Sequence, residues 1–144
     1  MLVQHILKDK PDGRVITVAP DMSVAEAVEI LSANRIGALI VSRDGLHVAG
    51  ILSERDVVRE LGKHGPDCLA QPVARMMTAT IVGCAREDSV DEVMRKMTEG
   101  RFRHMPVMQG SEMVGLISIG DVVKARLQEL AMEKDALEGM IKGF

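Results

Sequence analysis

Twice in this chain a serine ends an apolar run and an aspartate follows three residues later: Ser53 with Asp56, and Ser118 with Asp121. A serine hydroxyl at the start of a helix lies beside free backbone N–H groups and the positive end of the helix dipole, a setting suited to an anion. An aspartate one turn in can accept two hydrogen bonds from a vicinal diol. Diol plus phosphate describes a ribonucleotide. The same spacing is also ordinary helix capping, so one occurrence alone leaves both readings open. Cations stand close by: Arg101, Arg103 and His104 fall within four residues, and Arg35 and Arg55 occupy comparable places earlier in the chain. They are suited to phosphate, with a solvated charged turn as the alternative.

These residues recur because the chain repeats itself. Ser23, Arg35, Val41 and Ser53 return as Ser89, Arg101, Val107 and Ser118, a shift of 65 or 66 residues. Each half has only about sixty residues, too few for a comfortable core alone, so the halves are expected to pack together and leave equivalent clefts at their interface.

Local patterns assign the elements that carry the motifs. Short β-branched runs, Val15 to Val18 and Thr80 to Val82, predict a strand at the head of each half. Ser23 with Glu26 and Ser89 with Glu92 match the capping-box spacing. Apolar residues follow at Val24, Ala27, Val28 and Leu31, and at Val90, Val93, Met94 and Met97, one buried helical face in each half. Ala38 to Val41 with Val48 to Leu52, and His104 to Met108 with Met113 to Ile117, predict two β-hairpins. Second helices start near Glu54 and Ile119. The expected fold class is α+β: two pseudo-symmetric repeats, each strand-helix-strand-strand-helix, packed through their sheets as one module. Boundaries are set at 1–13 for an N-terminal segment, 14–62 for the first repeat, 63–77 for a linker with a short helical turn at Pro72 to Met77, 78–127 for the second repeat, and 128–144 for a helical extension. Along that extension Val123, Leu127, Leu130, Leu137 and Ile141 form an apolar stripe, fitted either to a partner helix or to the helix's own domain.

Composition narrows the classes. With 47% hydrophobic and 27% charged residues, the 144-residue chain suits one compact unit. A net charge of -3 argues against general nucleic-acid binding, and two Phe with no Trp or Tyr argue against stacking on bases. No apolar run spans a bilayer and no signal-peptide core is present, so a cytoplasmic location without membrane contact is expected. No nucleophile-and-base arrangement or Gly-rich phosphate loop stands out, so no catalytic residue is assigned and the chain is not expected to be an enzyme. His64, Cys68 and Cys84 match no common zinc spacing, and no metal site is expected.

The ordered combination resembles a tandem pair of cystathionine β-synthase (CBS) domains, of the small stand-alone bacterial kind. The residues that carry the likeness are Val18 to Ala27, Gly37 to Val41, Gly50 to Asp56, Arg103 to Val107 and Gly115 to Asp121, and it extends over about residues 14 to 127. The resemblance implies a regulatory module that binds AMP, ADP, ATP or NAD(H) in two clefts, senses the ligand without consuming it, forms a homodimer and signals to an effector protein. It assigns Thr17, Ile36, Gly37, Ala38, Ser53, Arg55 and Asp56 to the first cleft. To the second it assigns Thr78, Thr80, Val82, Arg101, Phe102, Arg103, His104, Pro106, Ser118 and Asp121. A protein-interaction scaffold with no physiological nucleotide is the competing reading.

Overall fold

The computed structural model describes residues 1–10 and 15–143; the expected boundary between residues 13 and 14 lies outside them. In chain order the elements are α1 (Val3–Asp9), β1 (Thr17–Val18), α2 (Val24–Asn34), β2 (Ala38–Val41), β3 (Gly50–Ser53), α3 (Glu54–His64), a 3-10 turn (Pro66–Ala70), α4 (Val73–Met76), α5 (Val90–Gly100), β4 (His104–Gln109), β5 (Glu112–Ser118) and α6 (Ile119–Ile141). The fold is mixed α+β, and the chain divides into two compact units. Unit I comprises Arg14–Val82 and the hairpin tip Gln109–Val114; unit II comprises Met1–Gly13, Gly83–Met108 and Gly115–Phe144.

In unit I, β1 runs parallel to β2 with Val18 opposite Val41, and β2 runs antiparallel to β3 with Leu39 opposite Leu52. Helices α2 and α3 supply Val24, Ala27, Leu31 and Val57 to a core shared with Leu39, Val41 and Leu52, and Val73 and Met76 of α4 join it. Each Val, Leu or Met side chain among them contributes roughly 1.5–3 kcal/mol when fully buried. Unit II repeats the plan with Val90, Val93 and Met97 of α5, Met105, Val107 and Ile117 of the hairpin, and Val122 and Ala125 of α6, all buried.

The short helices play matching parts. Val73 N–H donates to Met22 O, Ala74 N–H to Pro20 O, and Val24 N–H to Gln71 O in unit I. In unit II, Val3 N–H donates to Asp88 O, Gln4 N–H to Arg86 O, and Val90 N–H to Met1 O. Thus α1 stands to the second repeat as α4 stands to the first, with Val3 and Val73 both fully buried.

The strand expected over Thr80 to Val82 does not form. Its place is taken by one parallel bridge, Cys84 with Val107, the counterpart of Val18 with Val41. Cys84 N–H donates to Pro106 O and Met108 N–H to Cys84 O. The next rung of a parallel ladder would need an N–H from residue 106, and proline has none.

Helix α6 has 23 residues, and its buried positions are Val122 and Ala125, near its start. The stripe does not lie along its own unit: Leu127, Leu130, Leu137 and Ile141 are all exposed, Ile141 by 85%. No helix among the described residues is long and apolar enough to cross a membrane.

Candidate functional site

Both S-x-x-D motifs sit where a strand hands over to a helix, and both close a reciprocal capping box. Ser53 Oγ accepts from Asp56 N–H at 3.2 Å, and Asp56 Oδ2 accepts from Ser53 N–H at 3.0 Å. At the second junction the corresponding distances are 3.2 Å to Ser118 Oγ and 2.9 Å to Asp121 Oδ2. At the S-x-x-E motifs the serine half forms, with Ser23 and Ser89 accepting from Glu26 N–H and Glu92 N–H. The box therefore fixes each aspartate carboxylate at a helix start, where the dipole favours negative charge.

The neighbouring loop is tied to the same point. Glu54 N–H donates to Gly37 O at 2.9 Å, and Ile119 N–H donates to Arg103 O at 2.8 Å. This gathers Ile36, Gly37 and Ala38 beside Ser53 and Asp56, and Phe102, Arg103 and His104 beside Ser118 and Asp121. Ile36 and Gly37 also line a groove of about 490 Å3 between α2 and α3, together with Arg35, Glu54, Val57 and Val58. Thr17 is half-buried on β1, Pro106 is buried on β4, and Arg55, Arg101 and Arg103 are exposed.

Thr78, Thr80 and Val82 share a unit with Asp56 rather than with Asp121. Thr78 exchanges two backbone hydrogen bonds with Ile51 of β3, at 2.9 and 3.0 Å. Gly50 permits this approach, because a Cβ there would meet Met77 Sδ at 2.5 Å and Thr78 O at 3.0 Å. In unit II the corresponding glycine, Gly115, lies under Leu7 of α1, whose Cδ2 a Cβ would meet at 2.6 Å. Past Leu7 and Met77 the two segments part: α1 stays helical to Asp9 with Lys10 as its C-cap, whereas Met77 is already extended and leads to Thr78 on β3.

Lys10 is in contact with the second motif: Nζ donates to Asp121 Oδ2 at 3.0 Å and to Leu116 O at 2.8 Å. Burial pushes the Asp121 carboxyl up, but the backbone N–H of Ser118 and the Lys10 ammonium more than offset this and hold it below its ordinary value. Asp56 is more enclosed, its side chain 8% exposed against 26% for Asp121. Its Oδ1 accepts from Arg59 Nη2 at 3.0 Å, a cation from its own helix.

Neither Lys10 nor Arg59 was marked by motif. Arg59 follows Asp56 at a spacing of three, a readable intrahelical signal. Lys10 is 111 positions from its partner, and no local spacing links the two. Arg35 and Arg101 end α2 and α5 in the left-handed conformation, with φ of 53° and 56°. That place favours glycine, so each of these helix ends holds an arginine in a costly backbone state. Away from the motifs, His64 pairs with Glu60, and Cys84 is buried, its thiol pushed up to about 12 by burial.

A family model described as "CBS domain" matches residues 6–63 and 73–128. The CBS-domain containing protein ATU1752 from Agrobacterium tumefaciens has a crystal structure 43% identical to this chain, with a TM-score of 0.83 over 88% of this chain and 99% of that one. The mitochondrial CBS domain-containing protein CBSX3 of Arabidopsis thaliana is 32% identical over 98% of this chain and 72% of its own length. CBSX2, crystallised in complex with AMP, is 25% identical with a TM-score of 0.71 over 88% of this chain and 96% of that one.

Proposed function

The chain belongs to the CBS-domain family, and on that premise we propose that it is a regulatory module that binds an adenosine-containing nucleotide, AMP, ADP, ATP or NAD(H), at its two S-x-x-D junctions. The observation that carries this reading is the pair of capping boxes, which hold the Asp56 and Asp121 carboxylates at helix starts with their loops tied alongside. A ribose diol matches an anchored carboxylate, and an anion matches the arginines and the helix dipole. The AMP complex of a relative with the same fold supports the ligand class. Residues 36–38 with 53–56 serve one site, and 101–106 with 118–121 the other. The ligand is bound and released unchanged, and occupancy is passed to an effector protein. The exposed stripe on α6 supports a homodimer, and the two free, buried thiols of Cys68 and Cys84 suit the reducing cytoplasm.

The same stripe favours a second reading, an interaction scaffold with no nucleotide. Melting experiments with AMP, ADP, ATP and NADH separate the two. A sensor at a hundred times the dissociation constant gains about 2.7 kcal/mol of stability, and a scaffold gains none. Mass spectrometry of small molecules released from purified protein identifies which nucleotide it carries.

A further inference from the structure

The geometry points to Lys10 as a ligand-binding residue of the Asp121 site, one that favours adenosine ligands bearing a negative charge. This rests on the nucleotide-binding reading above and adds a selectivity to it.

Lys10 is presented by an anchored element. Its own N–H closes α1 onto Ile6 O at 3.2 Å, while Val3 and Ile6 are buried and Leu7 covers Gly115. The ammonium ties the last strand to the helix start, through the Leu116 carbonyl and the Asp121 carboxylate. An ammonium has three donors, and these bonds use two. Both side chains remain accessible, 31% for Lys10 and 26% for Asp121, so a ligand that reaches Asp121 comes within range of the cation. A cavity of about 90 Å3 opens beside the pair, lined also by Asp9 and Lys124.

Among the described residues, the first junction shows no such arrangement. The cation on Asp56 is Arg59 of the same helix, three residues on, and not one brought in by a separate segment. Two motifs that look alike therefore differ in charge supplied from outside the repeat. A 5′-phosphate near Asp121 gains a charge-assisted partner that an uncharged 5′-hydroxyl cannot use to the same degree, and a cationic 5′ group meets repulsion.

The test is calorimetric titration of AMP and of adenosine in an Asp56→Ala background, so that the second site is read alone. Replacing Lys10 by Gln is expected to lower the AMP-to-adenosine affinity ratio about tenfold, the weight of one charge-assisted hydrogen bond. Lys10→Arg is expected to keep the ratio, which separates charge from packing. If Lys10→Gln leaves the ratio unchanged, or weakens both ligands equally, the selectivity role is overturned while the site stands. If adding Asp121→Ala to the background leaves AMP binding intact, the site reading itself fails, and the role of Lys10 with it.

Discussion

The two S-x-x-D junctions share one backbone plan and differ in what surrounds the carboxylate. Asp56 is nearly enclosed, and its two oxygens accept from Ser53 N–H and from Arg59 of the same helix. Asp121 is more open, and its Oδ2 accepts from both Ser118 N–H and Lys10, whose helix precedes the first repeat. The local box is the same in both repeats because it is made within four residues. The environments differ because the covering segments differ: α4 and Thr78 lie over β3, and α1 lies over β5. Identical motifs thus need not bind the same ligand with the same strength.

The largest effect that sharpens this contrast is at the paired glycines. Gly50→Ala pushes a methyl group against Met77 and the Thr78 carbonyl, and backbone cannot retreat as a side chain can. A loss of about 1–3 kcal/mol is expected in urea unfolding. Gly115→Ala meets only the end of the Leu7 side chain, and should cost about 1 kcal/mol. Equal losses would mean that the two coverings are equally rigid, and the contrast would go.

Next are the left-handed arginines. Arg35→Gly and Arg101→Gly relieve a backbone state disfavoured for side chains and should raise stability by up to about 1 kcal/mol each, read as a shift in the urea midpoint. In the same variants AMP should bind more weakly at the junction that loses its cation. Stabilised variants with unaltered binding would leave the arginines as solvated helix ends.

The smallest effect is in pH. The Asp121 carboxyl is held below its ordinary value, so its contribution to stability is complete above the ordinary carboxylate range and is lost as pH falls through the lowered value. Asp121→Asn should therefore flatten the stability profile at acid pH below about 4 and leave its shape near neutrality unchanged. An unaltered acid limb would show that the Lys10 pair adds nothing to the fold.

Much of this was legible beforehand. Serines 23, 53, 89 and 118 announced four helix starts, and the spacing of Val24 to Leu31 and Val90 to Met97 announced the buried faces, because capping and amphipathic periodicity are local. The missing strand at Thr80 to Val82 follows from Pro106, more than twenty residues away, and a β-branched run does not report its partner's missing donor. Lys10 escaped for the same reason on a longer scale. The conformation of Arg35 and Arg101 runs against propensity, so composition pointed away from it. Thr78 joined Ile51 through a contact that depends on the bare face of Gly50, a feature visible only when the strand and the covering segment are seen together.

The central claim, that the two boxed aspartates hold an adenosine ligand, is tested most directly by titrating AMP into the parent chain and into Asp56→Ala, Asp121→Ala and the double variant. Each single change is expected to weaken binding at its own junction by roughly 1.5–3 kcal/mol, tenfold to more than a hundredfold, with no turnover of AMP in any sample. If all four proteins bind AMP alike, and the variants lose only thermal stability, the aspartates are helix caps and nothing more.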